Sequence, residues 1–320
     1  MKRIIFLLVF FIFYSINSFA KPAEQPLDNV VAIVNEDVIT RSELNHDLDI
    51  VKIQIAREQI PAPANDILQK QVLDQMINKT LQLQLAKQGG IEVNDTDLDK
   101  AVLEIAERNQ IPVKLLYQRI QEEGMLMADY RKEMHDRLIM QKLQQQEVSP
   151  HISVSSQEIT HFINSRVWQN NSAKEYRLED ILIPVSDTPS TEEIMKAKKH
   201  ALGVLGQLNQ GKSFREIAQV ESGDSHALRG GDLGWRKLPE IPSAFATEIL
   251  KMQINDIAGP IQTPNGFHII RLAAVRALGG KQEIPSRRQI EQLLLQRKFE
   301  EAVQNWISKL RNQAFIVINV

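Results

Sequence analysis

Two short segments and one acid carry the residue types that could do chemistry. The first segment is Arg229-Gly230-Gly231-Asp232-Leu233-Gly234-Trp235; the second is Gly266-Phe267-His268-Ile269-Ile270. Glycines in the first segment permit backbone angles closed to other residues and let other chain segments approach closely. Leu233 and Trp235 among them make the stretch a shaped apolar surface. His268 falls in a strand-like run, which fixes its ring on one face with Ile270 and Leu272. The acid is Asp180. Glu175 to Ile183 alternates, with Tyr176, Leu178, Asp180 and Leu182 on one face and Arg177, Glu179, Ile181 and Ile183 on the other. A carboxylate on an otherwise apolar face needs a partner, or its pKa rises through desolvation. The alternative is a strand end that opens to water. Together these residues describe a rigid apolar cup with one titratable ring beside it.

The elements that must position the cup span roughly 174 to 277. Ser190-Thr191-Glu192-Glu193 caps a helix whose stripe is Ile194, Ala197, Ala201, Leu205 and Leu208. Gly206 to Ser213 reads GQLNQGKS, a literal match to the phosphate-binding pattern GxxxxGK[ST]. That motif needs a strand leading into its loop. Here an amphipathic helix leads in, Gly211 stops it, and Ser213-Phe214-Arg215-Glu216 is a second capping box, so the segment reads as helix–turn–helix and no nucleotide is expected. A polar loop, Glu221 to Ser225, precedes the glycine motif, and Pro239 and Pro242 precede a short helix holding Phe245 and Ile249. Gly259-Pro260 reads as a turn, as does Pro264-Asn265-Gly266 before the strand of His268. The order is β-α-α-loop-α-β-turn-β.

Residues 28 to 170 read as nearly all helix after a short strand, Val30 to Val34. Thr40-Arg41-Ser42-Glu43 is a capping box, and Leu73, Ile77, Leu81 and Leu85 form one buried stripe ended by Gly89-Gly90. Further helices run through Leu98, Val102, Ile105 and Ala106, and through Met127, Tyr130, Met134, Leu138 and Leu143. His46, His135, His151 and His161 show no ligand spacing, so no metal site is read from them. Met76, Met125, Met127, Met134 and Met140 fit ordinary core, with an adaptable peptide groove as the alternative. Leu278-Gly279-Gly280 reads as a linker. After it a long helix carries Phe299, Val303, Trp306, Ile307 and Leu310, a stripe that a lone helix cannot bury, and Phe315 to Val320 is strand-like.

A chain of 320 residues suggests about two domains. Its net charge of −2 gives no sign of a nucleic-acid partner. The absence of cysteine excludes disulfides, thiolate metal sites and a cysteine nucleophile. Lys2-Arg3, the apolar run Ile4 to Tyr14 and Ser18-Phe19-Ala20 have the form of a secretory signal peptide cleaved near Lys21. The apolar run is shorter than the roughly 20 residues needed to span a bilayer.

Glu175 to Arg276 resembles a parvulin-type peptidyl-prolyl isomerase domain along its whole length. The carrying motifs are Ile181-Leu182-Ile183, Gly211-x-x-Phe214-x-x-x-Ala218, Gly230-Gly231-Asp232-Leu233-Gly234, Gly259-Pro260-Ile261 and Gly266-Phe267-His268-Ile269-Ile270. Val31 to Thr40 is similar to the start of the SurA family of periplasmic chaperones. The resemblance implies an α+β chain: residues 21–173 a mostly helical chaperone domain, 174–277 a single parvulin-like domain, 278–285 a linker, and 286–320 a helix and strand packing back on the first domain. The isomerase domain would then be an insertion-like satellite. It further implies a cup of Leu233, Ile241 and Phe245, with His268 beside it and Asp224 at the loop-acid position. Parvulins usually carry a histidine where this chain has Asp180. An Asp180–His268 pair is therefore expected, with Asp180 accepting a hydrogen bond and raising the histidine's pKa.

The function so implied is an ATP-independent periplasmic chaperone for unfolded outer-membrane proteins, working on prolyl peptides and with the outer-membrane assembly machinery, with no cofactor. Isomerisation of X-Pro bonds is the enzymatic reading. The alternatives are a binding-only chaperone, favoured by Asp180, and a membrane-tethered foldase whose signal stays uncleaved.

Overall fold

The computed structural model describes residues 28–57, 61–122, 124–165, 168, 174–186, 188–278 and 286–319. The signal-peptide reading and most of the linker reading lie outside these residues.

A small sheet opens the chain. β1 (Val30–Val34) turns at Asn35, whose φ is +53°, into β2 (Asp37–Thr40), forming an antiparallel hairpin. β7 (Ile316–Ile318), from the far end of the chain, pairs antiparallel with β1 on its other edge, setting Ile33 opposite Val317. Helices α1 (Arg41–Arg57), α2 (Asn65–Gln88), α3 (Asp95–Arg108), α4 (Val113–Glu122), α5 (Met127–Glu147) and α6 (Ser156–Asn164) follow. Thr40 and Glu43 exchange the two hydrogen bonds of a capping box at the start of α1. Leu73, Ile77 and Leu81 of α2 are buried against Val31, Val34, Leu44 and Leu48. Of the five methionines in question, only Met134 is buried; the others are half-buried.

The second unit is a four-stranded antiparallel sheet in the order β4-β3-β6-β5. Its strands are β3 (Lys174–Pro184), β4 (Asp232–Lys237), β5 (Ile257–Thr263) and β6 (Gly266–Ala277). Helices α7 (Thr191–Asn209) and α8 (Phe214–Glu221) join β3 to β4, and α9 (Ser243–Ile249) joins β4 to β5. Between α7 and α8, Gly211 takes φ +90° and Ser213 caps the next helix, as the helix–turn–helix reading of the GQLNQGKS segment requires. The mixed α-and-β content agrees with the expected α+β class.

Each face of this sheet has its own core. Ile181, Ile183, Phe267 and Ile269 pack under α7 and α8, while Leu178, Ile270 and Leu272 pack with Phe245 and Ile249 of α9. Alternation in β3 therefore sorts residues between two buried layers rather than between core and water. Asp180 is only 3% exposed, so β3 does not open to water there.

Two local readings differ from the structure. The glycine motif is not a loop throughout: from Asp232 onward it is edge strand β4, pairing Leu178 with Gly234 and Arg177 with Trp235. Gly259-Pro260 is not a turn. It lies inside β5, where the pairing with β6 slips between Ala258 and Ile261 and the Gly259–Pro260 bond is cis.

The α+β unit is also not a satellite. Long helix α10 (Arg287–Gln313) contributes Ile290 and Leu294 to the core containing Phe245 and Leu272. Farther along, its Arg311 bonds Asp74 and, at 3.0 Å, Asn78 Oδ1 of α2. Lys298 and Arg287 reach Glu158 and Thr160 of α6 at 2.8 and 2.9 Å. On the other side, Leu228 of the α+β unit is buried in the core of Leu48, Ile55 and Leu68. Gln219 Nε2 donates to Pro61 O and Leu228 O, both at 3.2 Å.

Candidate functional site

The glycine motif and the acid meet through the backbone. Asp180 N donates to Gly231 O at 2.9 Å. Gly231 has φ +79°, and a Cβ there would lie 2.2 Å from Asp180 O. Only glycine meets both conditions. β4 is thereby pressed onto β3 at the residue whose side chain enters the site.

Asp180 and His268 come from neighbouring strands. β6 pairs Ile270 with Asp180 and His268 with Leu182, so the two side chains are diagonal neighbours on one face. His268 Nδ1 donates to Asp180 Oδ2 at 2.8 Å. Its Nε2 lies 3.2 Å from Asn265 Oδ1, in the turn before β6. Both ring nitrogens thus face oxygens, an arrangement that suits a doubly protonated ring. Burial alone would lower the His268 pKa. The Asp180 charge and hydrogen bond outweigh it and hold the ring above its ordinary value. Burial pushes the Asp180 carboxyl up, opposed by His268. Asp180 Oδ1 is buried and has no partner among the described residues.

A second acid–histidine pair lies beside the first. Asp224 accepts from its own loop: His226 N at 2.7 Å and His226 Nδ1 at 2.6 Å. The Asp224 bond and charge raise the His226 pKa against burial. Burial would raise the pKa of Asp224, but His226 overcomes it and holds the carboxyl below its ordinary range. Asp224 also adds to the electrostatic environment of both Asp180 and His268.

These four residues share one cavity of about 550 Å³, walled on its apolar side by Leu178, Leu233 and Phe245. The Phe245 and His268 rings lie 4.9 Å apart between centroids and are tilted by 58°. Of the residues anticipated from sequence, Asp180, Asp224, Leu233, Phe245 and His268 line this cavity. Ile241 does not. It is fully buried in the core beneath, and its neighbour Pro242 reaches the lining instead. Trp235 is also outside the lining, with the Arg276 guanidinium 4.2 Å from its ring centroid.

His226, Asn265 and the α10 residues of the lining were missed. His226 is two positions after Asp224, a spacing that a side-chain-to-backbone turn favours, so a signal existed in the loop. Asn265 was read only as turn chemistry. Nothing in the sequence of α10 pointed to the cavity. Among the described residues no group of His, Cys, Asp and Glu is arranged to hold a metal ion.

Residues 27–144 match the SurA N-terminal domain, and residues 181–274 match the PPIC-type PPIase domain. A curated relative, the chaperone SurA of Nitrosococcus oceani, is 35% identical over 308 residues, covering 95% of this chain and 71% of that protein. The chaperone SurA of Legionella pneumophila (strain Paris) is 37% identical over 252 residues, covering 79% of this chain. The match spans 59% of that relative's own length. A solved PpiC-type peptidyl-prolyl cis-trans isomerase domain is 33% identical, covering 34% of this chain and 97% of its own, with a TM-score of 0.31.

Proposed function

This chain belongs to the SurA chaperone family and carries a PPIC-type peptidyl-prolyl isomerase domain, and we propose that it holds unfolded proteins and isomerises their X-Pro bonds. The observation that carries the reading is the Asp180–His268 pair at an apolar cavity walled by Leu178, Leu233 and Phe245. Isomerisation breaks no bond. It must lower a rotation barrier of roughly 20 kcal/mol about a partly double C–N bond. The twisted amide is less polar than the planar one, so an apolar cup that strips water from the proline favours it over the ground state. Asp180 and Asn265 hold the His268 ring by its two nitrogens, which fixes it beside Phe245 as part of the cup.

Catalytic roles for Asp180, Asp224 and His268, with proline seated on Leu233 and Phe245, belong to this proposal. So does the division of the chain at 173/174 and 277/278. The clients are unfolded outer-membrane proteins, the setting is the periplasm after signal cleavage, and transfer to the outer-membrane assembly machinery follows. Those finer parts rest on the family relationship and on the export-signal pattern of residues 1–20. Among the described residues no helix is long and apolar enough to cross a membrane.

A second reading keeps the cavity for binding only. Asp180, standing where parvulins usually have histidine, favours it, because its buried carboxyl leaves one oxygen unpaired. Full-length protein should accelerate isomerisation of a short prolyl peptide and also suppress aggregation of an unfolded β-barrel protein. Aggregation suppression without acceleration above a denatured control would leave only the binding reading. Loss of both would remove the chaperone reading as well.

A further inference from the structure

The cavity is not completed by the α+β unit. Helix α10, which begins ten residues after the end of β6, supplies a further wall through Arg297, Phe299, Glu300, Val303 and Gln304. The wall is held in place from both sides. Arg297 Nη1 reaches Ile241 O at 3.5 Å, Ser243 N donates to Glu301 at 3.4 Å, and Arg236 lies 3.6 Å from Glu300. Ile290 and Leu294, one to two turns earlier on α10, are buried in the core beneath Phe245.

Two features of this wall point to a ligand. Phe299 and Val303 extend the apolar surface begun by Leu233 and Phe245. Among the described residues, two buried polar atoms of the lining also lack partners: the acceptor Asp180 Oδ1 and the donor Arg297 Nε. The Asp180 side chain is 5% exposed, and the nearest acid to Arg297 Nε is Glu301 at 3.8 Å, beyond hydrogen-bond reach. Burial lowers the Arg297 pKa, as expected for a guanidinium lacking full compensation. A cavity whose lining carries an unpaired donor and an unpaired acceptor suits a ligand bringing both. A peptide chain brings N–H, C=O and apolar side chains together.

We propose that α10 is the second wall of the peptide site, where the Arg297 guanidinium donates to a client backbone carbonyl and Phe299 seats a large apolar side chain adjoining the proline. The assignment rests on the reading that the cavity takes prolyl peptides. It makes substrate preference a property of the whole chain, since α10 lies outside the α+β unit.

The test uses full-length protein and measures Kd for two short peptides by calorimetry, one with phenylalanine adjoining proline and one with alanine there. Wild-type protein should prefer the phenylalanine peptide. Phe299→Ala should reduce that preference about tenfold, the size expected when one large apolar side chain loses its seat. Phe299→Leu should restore most of it, which a merely misfolded helix would not do. Arg297→Gln should weaken both peptides together. An unchanged preference in Phe299→Ala overturns the proposal even where wild-type protein binds and isomerises both peptides. Discrimination without isomerisation upholds α10 as a wall while refuting the enzyme reading. Failure of wild-type protein to bind either peptide overturns the prolyl-peptide reading and this one with it.

Discussion

Gly231 O accepts the backbone N–H of Asp180 at 2.9 Å, and no side chain fits at 231 because its Cβ would lie 2.2 Å from Asp180 O. The glycine motif therefore serves the site by close packing: it lets edge strand β4 lie against β3 where the acid enters the cavity. The adjacent Gly234 has φ +75° but nothing within 4 Å of a built Cβ. The two positions separate backbone strain from collision. Gly234→Ala should cost about 1 kcal/mol through its left-handed conformation alone. Gly231→Ala adds a backbone clash and should cost more, at least about 2 kcal/mol. Thermal melts of the two variants check the order, and equal melting temperatures would show that β4 yields freely.

Asp180→Asn keeps the size and removes the charge. The His268 pKa, held up by that charge, should fall, and NMR titration of the ring reads this directly. Hydrogen bonds to charged groups contribute about 1.5–3 kcal/mol, so isomerisation should slow roughly ten- to a hundredfold. An unmoved histidine pKa would mean that Asp180 does not govern the ring.

The Asp224–His226 pair has a defined pH window. The pKa of His226 is raised above its ordinary value of 6.5, so its contribution is fully present below that pH and is lost as pH rises through the raised value. The pKa of Asp224 is lowered from 3.8, so its contribution is present above that pH and is lost as pH falls through the lowered value. The two overlap fully in mildly acidic solution. The melting-temperature difference between wild-type protein and His226→Gln should be largest near about pH 6 and shrink toward about pH 9. A difference that does not change with pH would show that the ion pair contributes nothing.

Leu228 belongs to the α+β unit yet is buried among Leu48, Ile55 and Leu68 of the helical region. Leu228→Ala should destabilise the chain by about 2–5 kcal/mol, the usual cost of emptying a buried leucine site. Leu228→Asp should loosen the contact further and speed proteolysis at the two ends of the unit. An unaltered cleavage pattern would show that α10 alone holds the two regions together.

The legible parts of this chain were those written locally. Capping residues, periodic stripes and the Gly211 stop each act within a turn or two, and they marked the helices correctly, including the false phosphate loop. Asp180 stood out because a charge on an apolar face is costly wherever the strand ends up. What the sequence hid was long-range or half-exposed. β4 is half-buried along its length and carries Gly234 in its middle, so it lacks the alternation of a strand. Gly259-Pro260 has turn composition but lies in a strand because β5 slips against β6 there. Ile241 and Pro242 differ by one position, enough to move the lining from one to the other. The α10 wall depends on a fold-back across the chain that no local pattern encodes.

The central claim is that the cavity at Asp180 and His268 catalyses rotation about prolyl bonds. The direct measurement is the cis-to-trans rate of a short prolyl peptide with full-length protein, with Phe245→Ala, and with heat-denatured protein. The account expects wild-type protein to accelerate the exchange, with most of the acceleration lost in Phe245→Ala and none from denatured protein. A wild-type rate equal to that of the denatured control would contradict it.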